Sequence, residues 1–210
     1  MQITYFGQSC FLAEVGGKKL LFDPFITPNE LAKHININDI SADYILLSHG
    51  HSDHVADAEA IALATGAMII ANYEVAMWFA AKGVNKYHPM NTGGKWRFDF
   101  GTVKCVNAIH SSVMPDGSYG GNPMGFVITS KEMNFYYSGD TALTTDMQLI
   151  PLFTNIDFCV LPIGDNFTMG ATDAVEAAKM VKCDTVIGVH YDTFGLIEID
   201  HKQTMNIFES

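Results

Sequence analysis

Residues 48–54 read Ser-His-Gly-His-Ser-Asp-His and place three imidazoles and one carboxylate within six positions. They follow Tyr-Ile-Leu-Leu at residues 44–47, an apolar run that is typical of a buried strand. Chance produces such an H-x-H-x-D-H pattern in about one sequence of this composition in a thousand or fewer, so a loop of solvated histidines is the weaker interpretation. Neutral imidazole and carboxylate suit Zn²⁺, Mn²⁺ or Fe²⁺, and ligands crowded into one loop can serve two adjacent ions. The stretch therefore predicts a metal site at a strand end.

Three further apolar, strand-like runs end in a side chain of the same chemical kind, namely His110, Asp140 and His190. Taken singly, each histidine has the plain alternative of a core or edge histidine, and Asp140 after Ser-Gly has that of a turn carboxylate. Because loops at strand ends assemble sites on a rigid scaffold, we expect these three side chains to converge with residues 48–54 at one edge of the sheets.

The pattern of predicted elements divides the chain into two similar halves, each with β-rich runs first and strand-helix units later. This order favours an α/β fold with two mixed β-sheets packed face to face and helices outside, rather than a doubly wound parallel sheet. In the first half we predict strands at residues 3–6, 10–15, 19–22, 44–47 and 68–71, and helices at 56–64 and 73–81. In the second half we predict strands at 96–100, 102–109, 124–129, 133–137, 158–161 and 185–189, and helices at 173–181 and from about Thr145, where Gln148 completes a capping-box spacing.

The length of 210 residues, at 23.0 kDa, predicts one domain over residues 1–210 with a core large enough to fold without a disulfide or metal staple. No linker-like stretch divides it. Residues 191–199 are irregular by pattern, and an amphipathic tail at 201–208 stops without a closing strand. This leaves open that a final C-terminal strand is missing.

Composition excludes several classes of protein. Hydrophobic residues make up 48% of the chain and charged residues 17%, which excludes intrinsic disorder. Twelve basic against 23 acidic residues give a net charge of −11, a field that disfavours non-specific nucleic-acid binding. The four cysteines form no C-x-x-C pair, so we expect reduced core thiols rather than a thiolate metal cage or a disulfide framework.

No targeting or membrane segment is predicted. Residues 1–15 lack a basic region followed by an apolar block, so we expect a cytoplasmic location. The most apolar stretch, residues 67–81, contains Asn72 and Glu74 and is too short to cross about 30 Å of hydrocarbon. The expected partner is a small-molecule substrate, with neither nucleic acid nor membrane, and homo-oligomer formation is left open.

The ordered ligand pattern resembles a known family. His49-x-His51-x-Asp53-His54, followed by His110, Asp140 and His190 on strand ends of a two-halved β-rich chain, closely resembles the metallo-β-lactamase superfamily of binuclear hydrolases. Four further segments are similar in sequence to uncharacterised metal-dependent hydrolases related to L-ascorbate-6-phosphate lactonase, namely residues 3–10, 22–25, 138–141 and 161–165. The resemblance spans nearly the whole chain and implies an αββα four-layer sandwich.

The resemblance also implies a ligand set, residue by residue. One metal would be held by His49, His51 and His110, a second by Asp53, His54 and His190, and Asp140 would bridge them. Asp23 matches the first-motif aspartate of the family, which orients the ligand loop without being a ligand. A strand-end aspartate that caps a turn before Pro24 is the equally compatible plain interpretation.

Two divalent ions, Zn²⁺ or Mn²⁺ with Fe²⁺ left open, would make the pocket locally cationic, because +4 exceeds the −2 of Asp53 and Asp140. Anionic substrates are therefore admissible. Ions roughly 3.5 to 4 Å apart share a water and lower its pKa from 15.7 toward about 7, which supplies hydroxide to attack a carbonyl carbon or phosphorus. Asp53 and Asp140 are the candidate catalytic carboxylates. Asp53 is a candidate proton relay, although ligation ranks first for it.

These observations predict a binuclear metal-dependent hydrolase that uses a metal-bridging hydroxide on a small, anionic ester, lactone or phosphoester. A phosphodiesterase or nuclease would use the same core, but the acidic charge and the lack of a basic stripe count against it. A thioester hydrolase of the glyoxalase type would normally need an added helical substrate domain. For a di-iron redox protein of the superfamily, the resemblance implies a fused flavin domain and a Glu in the ligand loop, at the position where this chain has His51. A non-catalytic metal-binding protein is the remaining alternative.

Other residues near the predicted site have plain alternatives. Tyr119, in the Gly-rich loop at residues 115–121, is either a mobile rim residue that touches substrate or part of a hairpin loop, and we leave it out of the catalytic set. Asp165, Asp192 and Thr193 lie close to the predicted edge, yet turn-forming roles explain them at least as well.

Overall fold

Two six-stranded sheets contain the strands of the computed structural model, which describes residues 1–209. The first sheet holds, from edge to edge, β1 (Gln2–Gly7), β2 (Cys10–Val15), β3 (Lys18–Phe22), β4 (Tyr44–Leu46), β5 (Met68–Asn72) and β6 (Tyr87–Met90). The second holds β7 (Lys95–Arg97), β8 (Thr102–Asn107), β9 (Met124–Thr129), β10 (Asn134–Tyr137), β11 (Phe158–Pro162) and β12 (Val186–Val189). Each sheet is therefore built from one half of the chain, with its strands in sequence order.

Both sheets are mixed, in the same order. In the first sheet β1 to β3 pair antiparallel and β3 to β6 pair parallel. In the second sheet β7 to β10 pair antiparallel and β10 to β12 pair parallel. Parallel neighbours end at the same edge of a sheet, so the residues that follow them are brought side by side.

Helices cover the outer faces of both sheets. The α-helices are α1 (Ser52–Val55), α2 (Ala58–Thr65), α3 (Tyr73–Ala81), α4 (Ala171–Val181) and α5 (His201–Phe208). Short 3₁₀ helices lie at Glu30–Ala32, Ile37–Asp39, Thr145–Leu152 and Gly195–Ile197. Three separate apolar clusters lie between the first sheet and its helices, between the two sheets, and between the second sheet and its helices. The predicted four-layer αββα sandwich is thus confirmed.

The layer between the two sheets is centred on the ring of Phe22 at the end of β3. Phe22 is fully buried and stacks on Phe11 at a centroid distance of 4.4 Å. Its edge-to-face contacts with Phe126, Phe135 and Tyr137 of the second sheet lie at 5.5 to 6.3 Å. Such ring pairs contribute about 0.5–1.5 kcal/mol each beyond area burial, so this cluster fixes how the sheets face one another.

Several predicted elements differ from the structure. Strand β6 was not predicted, because Tyr-His-Pro-Met lacks alternation and its proline is tolerated only because β6 is an edge strand. The predicted helix from Thr145 is a 3₁₀ helix that contains Pro151, and its cap is Thr144, whose side chain accepts from the backbone N–H of Asp146.

Boundaries of other elements also shift. The helix predicted at residues 56–64 is α2, which begins two residues later and ends one residue later, and the short helix α1 within the histidine-rich stretch was not predicted. The strand predicted at residues 96–100 is shorter and lies one residue earlier, and the strand predicted at residues 102–109 ends at Asn107. The residues after Asn107 are thereby free to reach the sheet edge as a loop.

The amphipathic tail forms α5, which packs against α4. Asp200 caps it by accepting from the backbone N–H of Gln203. All four cysteines are buried free thiols, as predicted. Within residues 1–209, every helix is too short or too polar to cross a bilayer.

Removal of a ring from the inter-sheet layer should destabilise the whole fold. We expect Phe135→Ala to lower the free energy of unfolding by about 3–5 kcal/mol, because Phe135 is fully buried and also stacks on Phe158 at 4.8 Å. Urea denaturation followed by circular dichroism measures this. Leu63→Ala, at a side chain that is 57% exposed on α2, is the control and should change the free energy by about 0.5 kcal/mol or less. Equal effects of the two substitutions would contradict the assignment of this layer as the core.

Candidate metal centre

The structure brings all seven predicted ligand side chains together at one edge of the two sheets. Asp140, in the loop after β10, lies at the centre of the cluster. Its Oδ2 atom lies within 4.0 Å of Nε2 atoms of four rings: His190 (3.0 Å), His54 (3.2 Å), His110 (3.6 Å) and His49 (4.0 Å). The convergence of four separate strand ends is the arrangement that the sequence predicted.

The ligand atoms fall into two groups, within each of which they lie less than 4.8 Å apart. The three-histidine group consists of His49, His51 and His110, and the carboxylate group consists of Asp53, His54, Asp140 and His190. In the three-histidine group, His49 Nε2 lies 2.9 Å from His51 Nδ1. In the carboxylate group, Asp53 Oδ2 lies 3.3 Å from His54 Nε2 and 3.6 Å from His190 Nε2.

The residues fit divalent cations. His54 Nε2 and Asp140 Oδ1 are buried without a hydrogen-bond partner, although each such orphan costs about 1–3 kcal/mol. Both belong to the carboxylate group, where neighbouring acceptors converge on one point. Five imidazoles and two carboxylates, with no thiolate, form a donor set of borderline hardness that suits Zn²⁺, Mn²⁺ or Fe²⁺.

The protonation states of the two groups differ. Burial lowers the pKa of His49 well below its usual value, and it also lowers the pKa of His51 and His110. Since these rings are buried or half-buried among other imidazoles, they are neutral near pH 7. The three-histidine group therefore offers lone pairs without first losing protons.

The carboxylate group is a network of opposite charges. Burial disfavours the ionised form of Asp140, but His54 and His190 outweigh it and hold the pKa of Asp140 well below its usual value. Burial likewise lowers the pKa of His190, yet Asp140 and Asp53 more than compensate and raise that pKa to about 9. The carboxylates are therefore ionised throughout the neutral range.

Asp23 orients the ligand loop. Its buried carboxylate accepts hydrogen bonds from Ser48 N (2.8 Å), Ser48 Oγ (2.5 Å), His54 Nδ1 (2.8 Å) and Tyr137 OH (2.6 Å). Asp23 also falls in a geometric group with His49 and His54, but both of its oxygens are already engaged. Of the two interpretations of Asp23, the structure favours orientation, with His54 Nε2 left to face the cluster.

Ser48 fixes the neighbouring ring in the same way. Its Oγ donates to Asp23, so the 2.9 Å contact with His49 Nδ1 makes that nitrogen the donor. His49 Nε2 is then the unprotonated nitrogen that faces the cluster. Across the sheets, the main-chain oxygen of Ser48 accepts from Met124 N in the second sheet. Gly139 is required beside it, because φ is +60° and a Cβ atom there would lie 2.7 Å from Ser48 Cβ.

Gln8 is a positioning residue that the sequence analysis missed. Its side-chain Nε2 donates to Asp53 Oδ2 at 2.9 Å, and its main-chain oxygen accepts from His190 N at 2.8 Å. Tyr5 OH donates to the same main-chain oxygen at 2.7 Å. Gln8 therefore links two members of the carboxylate group to the β1–β2 turn. A lone glutamine in a hairpin turn gives no spacing signal from which this role could be predicted.

Backbone strain is concentrated at this edge. Among the described residues, seven other than glycine have positive φ, and six of them lie in the turns and strand-end loops at this edge: Gln8, Asp23, Asp165, Asn166, His190 and Asp192. Such conformations cost of order 1–3 kcal/mol each and persist where the surrounding structure imposes them. His190, at φ +57°, is itself a candidate ligand.

A cavity of about 490 Å³ opens beside the cluster. Its lining includes the candidate ligands His51, Asp53, His110, Asp140 and His190, the hydroxyl-bearing Ser52 and Ser111, and the rings of Phe25, Phe167 and Phe194. The aromatic wall was not predicted, because its rings come from three loops whose sequences share no pattern.

The four residues with open roles do not line this cavity. Tyr119 is exposed and its OH donates to Asn122 Oδ1. Asp165 accepts from Asn166 N, Asp192 accepts from Ile199 N and His201 Nε2, and Thr193 donates to the Tyr191 oxygen. Turn and loop roles therefore explain all four.

Comparisons with known proteins agree with this geometry. Residues 2–190 match the family of β-lactamase superfamily domains. A UPF0173 metal-dependent hydrolase of Christiangramia forsetii is 56% identical over 99% of this chain and 92% of its own length, and one of Methylacidiphilum infernorum is 47% identical over 100% and 92%. A solved structure described as a novel metallo hydrolase from Ignicoccus hospitalis is 32% identical, covers 99% of this chain and 89% of its own, and superposes with a TM-score of 0.88.

Loss of the orienting carboxylate should weaken metal binding. We expect Asp23→Asn to lower metal affinity about 10- to 100-fold, because the His54 ring would lose the acceptor that fixes its orientation. Competition titration with a chelator measures the affinity. Asp57→Asn is the matched control, since Asp57 is also buried but accepts only from Ile26 N and Thr27 N. The role assigned to Asp23 is wrong if both variants bind metal equally well.

Proposed function

Because the chain belongs to the metallo-β-lactamase superfamily of metal-dependent hydrolases, we propose that its seven-residue cluster binds two divalent ions and hydrolyses a small ester, lactone or phosphoester. The observation that carries the proposal is the position of Asp140. Its Oδ2 lies 3.0 Å from His190 Nε2 in one group and 3.6 Å from His110 Nε2 in the other. One carboxylate oxygen is thus within reach of both groups, as a bridging ligand requires.

The chemistry needs an activated water and a polarised acceptor oxygen. Divalent ions, when bound, lower the pKa of water toward neutrality and stabilise the negative charge that develops on the substrate oxygen. In the overall reaction the water oxygen bonds to the carbonyl carbon or phosphorus, and the bond to the leaving oxygen breaks. The leaving oxygen keeps the electron pair and takes a proton.

The two carboxylates of the cluster have different proposed roles in this reaction. Asp53 faces the cavity with 24% of its side chain exposed, and Gln8 holds its Oδ2. Asp53 is therefore a ligand first, and its place at the cavity makes it the candidate to relay a proton from the attacking water to the leaving oxygen. Asp140, 3% exposed and surrounded by four rings, acts as a ligand.

The nuclease alternative is less well supported. Nucleic-acid binding needs basic side chains along the path of the backbone, and the segments that form this edge contain none. The cavity also suits a small molecule better than a polymer in volume. A non-catalytic site is disfavoured as well, because the candidate ligands face open space in which a substrate would fit.

Metal content tests the binuclear proposal. We expect two equivalents of zinc per chain by elemental analysis after reconstitution, and hydrolysis that depends on them. Asp140→Asn should remove at least one equivalent and lower kcat/KM about 100-fold or more, because both groups lose the shared oxygen. His34→Ala, an exposed histidine outside the cluster, should change neither. A single equivalent in the fully active wild-type protein would overturn the proposal.

Metal removal should destabilise the fold. At a free metal concentration about 100 times Kd, each bound ion stabilises the native state by about 2.7 kcal/mol, so two ions correspond to a Tm higher by about 10–20 °C for a chain of this size. We therefore expect a chelator to lower Tm by this amount in differential scanning fluorimetry. The shift should be about half as large or less in a variant that combines Asp140→Asn with His190→Ala, because the carboxylate group loses two of its four members while the three-histidine group stays intact. An equal chelator shift in that variant would contradict metal binding at the carboxylate group.

A further inference from the structure

The distribution of basic residues indicates that the cavity binds anionic groups poorly at positions away from the metals. Six segments follow β3, β4, β8, β10, β11 and β12 at the site edge, at residues 23–29, 47–57, 108–122, 138–144, 163–170 and 190–200. All twelve Lys and Arg residues of the chain lie outside these segments. Asp53, Asp140 and other acidic residues lie within them. A substrate group that is negatively charged and distant from the metals would therefore meet no cationic partner.

The aromatic wall offers the complementary chemistry. Phe25 is buried at the base of the cavity and lies 6.1 Å from Phe194, centroid to centroid. Phe194 and Phe167 are 42% and 52% exposed, which is high for rings that line a cavity. Their surface would leave water on contact with an apolar group, and the negative face of each ring disfavours an anion.

Together these observations separate two parts of a substrate. The part that reacts must lie against Asp53, Asp140 and the histidines, where the cationic charge is concentrated. The part that does not react must lie against Phe167 and Phe194, where neither charge nor a basic hydrogen-bond donor is present. This division differs from the sequence-based expectation of an anionic substrate, which considered only the charge of the metals.

We propose that the preferred substrates are uncharged carboxylic esters or lactones whose acyl group is apolar and packs against Phe167 and Phe194. The inference rests on the proposed function and narrows its substrate class. Hydrolysis adds water across the acyl C–O bond and yields a carboxylate, a proton and an alcohol. An anionic acyl group or a phosphodiester is the poorer substrate, because the side chains that line this edge supply no Lys or Arg to hold it.

A matched pair of substrates tests this. The 4-nitrophenyl ester of 7-methyloctanoic acid and the mono-4-nitrophenyl ester of heptanedioic acid share a leaving group and a chain of five methylene groups, and they differ in an isopropyl against a carboxylate end. For the zinc-loaded protein we expect kcat/KM to be at least about tenfold higher for the isopropyl ester, and higher also than for bis(4-nitrophenyl) phosphate. An equal or higher kcat/KM for the anionic ester or the phosphodiester would overturn the inference and leave metal-dependent hydrolysis standing.

Variants of the aromatic wall assign the preference to its rings. Phe167→Ala and Phe194→Ala should each reduce the preference for the isopropyl ester about five- to tenfold, mainly through KM. Phe167→Arg should raise kcat/KM for the anionic ester, since it supplies the missing cation. Phe153→Ala removes a ring of similar exposure, 49%, that does not line the cavity, and should leave the preference unchanged. The rings of Phe167 and Phe194 lie outside the core clusters, so we expect their variants to fold. A zinc content equal to that of the wild-type protein confirms that each variant is folded.

A binding measurement separates the two proposals. The uncharged ketone 4-phenylbutan-2-one cannot be hydrolysed, and we expect ligand-observed NMR to detect its binding to the zinc-loaded protein, with Kd about five- to tenfold higher in Phe194→Ala. If zinc and the ketone bind in this way but no ester, lactone or phosphodiester is hydrolysed, the proposed function fails while the apolar class of ligand stands. If esters are hydrolysed but the ketone binds equally to both proteins, the inference fails alone.

Discussion

The carboxylate of Asp23 is the interaction on which the site depends. It lies fully buried at the end of β3 and accepts hydrogen bonds from Ser48, His54 and, across the two sheets, Tyr137. The backbone N–H of Asp23 also donates to the Leu46 oxygen, which holds β3 and β4 in register beside the ligand loop. Because a buried carboxylate is costly without such partners, the fold and the orientation of the His54 ring are fixed by the same four hydrogen bonds.

This arrangement separates the part of the site that must be rigid from the part that sets selectivity. The candidate ligands lie on or next to strand ends, and hydrogen bonds fix the orientation of three of them. The partners in these bonds are Gln8, Ser48 and Asp23. Phe167 and Phe194 lie further along the loops and contribute little to the core. Substitution of these rings can therefore alter which molecules fit while the coordination geometry stays the same.

The sequence predicted which side chains converge at the site, because each lies at or just after the end of a recognisable strand and the ends of parallel strands lie at a common edge. The two-layer arrangement followed from the order of β-rich and strand-helix regions. The roles of Gln8, Tyr137 and the aromatic wall could not be predicted, because they depend on contacts between segments far apart in the chain. Asp23 and Tyr137, for example, are separated by 114 positions in the sequence. Strand β6 was missed for a different reason, since an edge strand with a proline carries almost no periodicity.

The candidate ligands are drawn from positions 49 to 190, and this spread has a consequence for how the protein would acquire its metal. No emerging stretch of a nascent polypeptide offers the complete coordination sphere, since residues 49–54 leave the ribosome long before His190 is synthesised. On the proposed ligand set, capture of both ions must accordingly follow the synthesis of His190 and the docking of one sheet on the other. The ion that enters the proposed site would then be selected by the free metal pool that surrounds the chain when its two halves dock, rather than by the pool that surrounds the first half as it emerges.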